Sequence, residues 1–145
     1  MKDFIFNDGG RAKAGYKGKA EDCVVRAIAI ATETNYQKVY DDITKLNKNN
    51  NKKGKKTSAR DGNTNKKTIN QYLKSKGWKW NATMGIGTGC KTHLKKDELP
   101  KGKIICRITR HIVAVINGVI HDTYNCSRNG TRCVYGYWIY EVKTK

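Results

Sequence analysis

Apolar side chains follow two rhythms along this chain, and each predicts a different kind of element. From Val24 to Ala31 every residue except Arg26 is apolar. A helix that is greasy on nearly all sides belongs inside a fold, so this stretch is predicted to be a buried central helix. Asp22 stands where an N-cap belongs, which puts Cys23 at the first helical position. Farther along, Tyr36, Val39, Tyr40, Ile43 and Leu46 recur on one face, and Thr34 with Gln37 has capping-box spacing. The pattern predicts an amphipathic second helix over about 35–46. A third is predicted over about 66–76, with Ile69, Tyr72 and Leu73 inward and Gly77 as its stop.

Beyond Lys103 the rhythm shortens. KIICRI, HIVAVI, VIHDTY and CVYGYWIYEV are rich in β-branched and aromatic residues and read as strands, with FIF and WKW as shorter ones upstream. MGIGTGC is glycine-rich but lacks the lysine spacing of a phosphate-binding loop, so it reads as a loop. Helices first and antiparallel strands second give an α+β class, with the central helix packed on a C-terminal antiparallel sheet.

One turn allows finer reasoning. Asn117-Gly118 is a strong hairpin signal. In a two-residue turn Ile116 pairs with Val119, so Val113 faces Asp122 and His111 faces Tyr124. Cross-strand partners share a face, as do residues two apart on one strand. His111 and Asp122 are therefore diagonal neighbours on one side of the sheet, while His121 pairs with Ala114 and points the other way. A histidine beside a carboxylate is the base and orienting group of a nucleophilic site. Cys23 could supply the nucleophile. At a helix start a thiol sits at the positive end of the helix dipole, where its thiolate form is favoured.

The 145 residues suit one domain, 1–145. Hydrophobic content is 37%, lowered by the polar stretch NKNNNKKGKKTSARDGNTNKK, so 47–65 is predicted to be a basic mobile loop. Thirty basic against twelve acidic side chains give a formal charge of +18. Such a field attracts polyanions, either nucleic acid or acidic protein, with Lys52, Lys53, Lys55, Lys56 and Arg60 as candidate contacts. The strong Lys and Asn bias offers a purely compositional explanation of the same charge. The five cysteines form an odd set without a CxxC pair, and no export signal or membrane span is visible. The expectation is a cytoplasmic protein with no membrane partner, no disulfide framework, no metal site and no cofactor. A Cys126–Cys133 contact across a turn is the one pairing that the spacing suggests.

EDCVVRAIAIAT followed by LPKGKIICRITRHIVAVINGVIHDTY resembles the papain-like cysteine peptidase superfamily, in particular its small bacteriocin-processing-type domains and compact phage or bacterial relatives. The resemblance covers under half of the chain. It implies a papain-like fold and a thiol hydrolase or acyl-transfer enzyme acting on an amide or isopeptide bond of a protein or peptide. Cys23 would be the nucleophile, His111 the general base and then acid, and Asp122 the orienting residue. The backbone N–H of Cys23 would help to bind the oxyanion. The family often draws a second oxyanion donor from a glutamine ahead of the nucleophile. None stands between Tyr16 and Asp22, which leaves Tyr16, Lys17 or Lys19 as substitutes. Glu21 and Asp22 also place negative charge beside the thiol. The alternative is a weak or inactive binding protein on the same fold, phage- or mobile-element-encoded, engaging nucleic acid or an acidic host factor.

Overall fold

The computed structural model describes residues 3–18, 21–51, 53–54, 56–59, 64–85, 87 and 89–140. Its elements run β1 (Phe4–Phe6), α1 (Cys23–Thr32), α2 (Tyr36–Asn50), α3 (Lys66–Ser75), β2 (Trp78–Ala82), β3 (Lys103–Ile108), β4 (His111–Ile116), β5 (Val119–Asp122) and β6 (Gly136–Tyr140). The strands form one six-stranded sheet in the order β1-β5-β4-β3-β6-β2. The class is α+β, but the sheet is mixed. β1 pairs with β5 in parallel, with Phe4 opposite Ile120 and Phe6 opposite Asp122, so an N-terminal strand joins a sheet predicted to be C-terminal and antiparallel. The residue types of FIF point to a strand but carry no information about its partner.

The reason IIC of β3 and IVAVI of β4 run apolar on both faces is that both sides of the sheet centre are covered. On one side, Ile105, Ile112, Ala114 and Trp138 pack with Val25, Ile28, Val39, Ile43, Ile69 and Leu73 from the helices. On the other, Ile104, Cys106, Ile108, Val113, Val115 and Ile120 pack with Leu94, Leu99, Cys126 and Val134 from the loops. Burial pushes the Cys106 thiol well above its ordinary pKa. α1 lies against β4, which places the apolar helix over the middle of the sheet. Burying one such Ile or Leu contributes about 1.5–3 kcal/mol.

The Asn117-Gly118 turn forms as the sequence predicts. Ile116 pairs with Val119, Val115 with Ile120 and Ala114 with His121. Both turn residues have positive φ, 50° and 79°, as a tight hairpin of this hand requires. A second two-residue turn, Thr109-Arg110, joins β3 to β4 and sets Ile108 opposite His111.

The helices depart from expectation at their ends. Asn35, not Thr34, caps α2, its side chain accepting from the Lys38 N–H at 3.2 Å. α2 also runs through Asn50, into the stretch read as a loop. Asn47 is buried there, and its amide donates to the Thr57 carbonyl and the Thr64 hydroxyl. Ala59 is buried as well, so part of 47–65 packs against the core. α3 begins at its Asn65 cap and buries Ile69, Tyr72 and Leu73 as predicted. Among the described residues, no helix is long and apolar enough to cross a membrane.

Candidate active site

Three element ends meet at one place: the start of α1, the start of β4 and the end of β5. Each delivers one predicted residue. His111 Nε2 lies 2.6 Å from Asp122 Oδ2, with both side chains buried. Cys23 and Cys126 both stand close enough to the ring to favour its protonated form. Cys23 is half-buried and lines an open cleft of about 630 Å³ together with His111, Tyr124, Asn65, Arg107 and Arg110. The Tyr124 ring lies 5.5 Å from that of His111, on the side that hairpin parity assigns it. His121 is turned away, its Nδ1 3.3 Å from the Asn7 amide.

The electrostatics favour an ionised pair. Burial alone would lower the His111 pKa, but the hydrogen bond to Asp122, with the Cys126 and Cys23 thiols nearby, outweighs it and raises the imidazole well above 6.5. Burial alone would raise Asp122. The hydrogen bond and charge of His111, the Thr123 N–H at 2.7 Å and the Arg26 guanidinium together hold it below 3.8. β1 fixes the backbone of Asp122, whose carbonyl accepts from the Asn7 N–H at 2.9 Å.

Asp22 occupies the N-cap position of α1 but makes no side-chain capping bond. Its carboxylate is bound instead by the Arg26 guanidinium, by Arg11 Nε at 3.3 Å and by the Tyr36 hydroxyl at 2.5 Å. Two arginines thus neutralise the acid that stands next to Cys23. Glu21 remains exposed on the cleft rim.

Arg26 is the residue that pattern reading passed over. Its guanidinium spans from Asp22 to Asp122 Oδ1 at 3.5 Å, tying the start of α1 to the end of β5. Its one signal in the sequence is that it breaks an otherwise apolar helix. Cys126 carries no comparable signal; it is 1% exposed and borders the imidazole without lining the cleft.

Of the oxyanion substitutes, Tyr16 is committed elsewhere. Its hydroxyl donates to Gln37 at 2.7 Å, and its ring stacks on Tyr40 with centroids 5.0 Å apart. Lys17 is exposed and does not line the cleft, and Lys19 lies outside the described residues. This leaves the N–H groups at the first turn of α1, which have no acceptor within the helix. Of the polyanion candidates, Lys53 and Lys56 are exposed, while Lys52, Lys55 and Arg60 lie outside the described residues. A slightly larger cleft of about 680 Å³, at the far end of α1 around Glu33, Lys103 and Tyr140, offers no thiol or imidazole.

The cysteines correct one expectation. Cys133 pairs with Cys90 in a disulfide, not with Cys126, leaving Cys23, Cys106 and Cys126 as free thiols. Spacing could not show this, because the two cysteines, 43 residues apart, are brought together by the His93–Cys133 bridge. Compared with known proteins, the chain matches no family model, no curated protein and no solved structure.

Proposed function

We propose that the protein is a papain-like thiol hydrolase or acyl-transfer enzyme that cleaves an amide, ester or isopeptide bond. The observation that carries this reading is one imidazole held by a buried carboxylate and lining, with a helix-start thiol that favours its charged form, the same open cleft. The Cys23 sulfur, as thiolate, attacks the carbonyl carbon, and N–H groups at the α1 start stabilise the oxyanion. Collapse of the tetrahedral adduct breaks the bond to the leaving amine, which takes the His111 proton. Water then attacks the thioester, with His111 as base, and releases the acid and the thiolate; an incoming amine in its place gives transfer. Asp122 holds the imidazole in orientation and steadies its charged form.

Lys66, Arg107 and Arg110 line the cleft against Glu21 and the neutralised Asp22, which suits a substrate with acidic side chains near the scissile bond. The test is to trap the acyl enzyme with an activated ester of an acidic peptide and locate the adduct by mass. Acylation at Cys23, lost in His111→Ala, supports the proposal. Acylation spread over surface lysines, unchanged in Cys23→Ser, defeats it.

A second reading, a basic binding protein on this fold, is favoured by the exposure of Lys53 and Lys56 on a strongly cationic chain. Its signature is binding to single- or double-stranded nucleic acid that weakens steeply with salt and survives Cys23→Ser.

A further inference from the structure

We infer that Cys90, His93 and Cys133 form a redox-gated zinc site, closed as a disulfide when oxidised and open to the metal when reduced. It lies apart from the cleft and does not depend on the reading of Cys23. His93 and Cys133 face each other across an antiparallel bridge. The bridge is fastened on both sides by Leu94 N–H to the Arg132 carbonyl and Val134 N–H to the Thr92 carbonyl, each 2.8 Å. These bonds flank the pair instead of joining it, the arrangement that brings opposed side chains closest. Cys90 approaches from three residues upstream, so Cys90 and His93 have C-x-x-H spacing.

The donor atoms of the three residues lie within 4.8 Å of one another. Cys90 Sγ is 3.5 Å from His93 Nε2. Tetrahedral zinc with Zn–S near 2.3 Å and Zn–N near 2.0 Å sets sulfur and nitrogen ligands about 3.5 Å apart, so this edge already has the required length. The other ring nitrogen is equally informative. His93 Nδ1 lies 3.1 Å from Glu98 Oε1, and Glu98 is itself held by the His93 N–H and by Lys95 at 3.2 Å. A carboxylate behind the ring fixes the tautomer that presents Nε2 to a metal, the usual support of a zinc-bound histidine. Cys90 is exposed and the other two are half-buried, leaving a fourth position for water.

The only other cluster of this kind among the described residues, His111 with Asp122 and Cys126, is fully buried. There His111 Nε2 is already paired with Asp122 by the 2.6 Å hydrogen bond.

The chemistry balances with an external dithiol as reductant. Its two electrons cleave the Cys90–Cys133 bond, it leaves as a cyclic disulfide, and its two protons complete the thiols. Zinc then binds both sulfurs and His93 Nε2, releasing the two thiol protons.

The test uses the full chain, oxidised and phosphine-reduced, titrated with Zn(II) against a chromogenic chelator and with Co(II) for thiolate charge-transfer absorption. The reduced chain should bind one equivalent with tetrahedral thiolate bands, and the oxidised chain none. Cys133→Ser should abolish those bands. Glu98→Gln, which keeps the shape of the side chain, should weaken affinity about 10- to 100-fold. Cys23→Ser should leave binding unchanged. Binding equal in both redox states, binding lost with Cys23 or indifferent to Glu98, or no binding by a reduced chain of native circular dichroism would each overturn the inference.

Discussion

His111 Nε2 and Asp122 Oδ2 stand 2.6 Å apart at the ends of two hydrogen-bonded strands, buried together and tied to α1 through Arg26. This pairing makes the proposed site part of the stability of the fold.

The coupling has a pH signature. The raised imidazole contributes fully below its ordinary value of 6.5 and loses that contribution as pH climbs through a folded value pushed up to about 12. The lowered carboxyl contributes above 3.8 and loses its share as pH falls through the folded value. The pair therefore stabilises most between 3.8 and 6.5. Asp122→Asn leaves a buried imidazole without its partner and should cost about 3 kcal/mol in that window. Urea unfolding of both proteins across pH should show the gap narrowing on either side. A gap that stays constant into alkaline pH contradicts the assignment.

Arg26 makes a separate claim. Arg26→Met keeps most of the packing volume but removes the link between Asp22 and Asp122. Asp22 retains Arg11 and Tyr36, whereas the far oxygen of Asp122 retains only the Thr123 N–H. A loss of about 3 kcal/mol is expected by urea unfolding, as for a broken buried pair. A change of a few tenths, typical of a surface pair, would show that the bridge is incidental.

Gly118 tests the hairpin that sets the register. Its φ is +79°, and an added Cβ would meet Lys96 Cβ at 2.9 Å and Cα at 3.1 Å. Gly118→Ala should cost about 2 kcal/mol through backbone strain and crowding. Gly102→Ala, also at positive φ but with nothing within 4 Å, should cost only about 1 kcal/mol. Equal losses in the two unfolding curves would mean that the Lys96 contact relaxes freely.

What was legible in the sequence follows the range of the interaction. Apolar periodicity located all three helices, and the Asn117-Gly118 turn placed Asp122 beside His111, because both are local patterns with a fixed geometry. Relations between distant segments were not legible. The parallel pairing of Phe4–Phe6 with β5, the Cys90–Cys133 bond and the covering of the second sheet face by Leu94, Cys126 and Val134 are all of this kind. Asp22 shows the limit within a single motif. Its residue type and position suggest a cap, yet two arginines and a tyrosine compete for the same carboxylate and win it.

The most direct measurement is the rate of iodoacetamide alkylation at each free thiol, read by peptide mass in native protein. Cys106 and Cys126 are buried and should react slowly, so Cys23 should dominate. The stronger demand is on the partners. His111→Ala should slow Cys23 by 10-fold or more, on the order of the loss when a thiolate gives up its imidazolium, and Asp122→Asn should slow it by a smaller factor. A Cys23 rate unaltered by either substitution would contradict the proposal that these three residues act as one site.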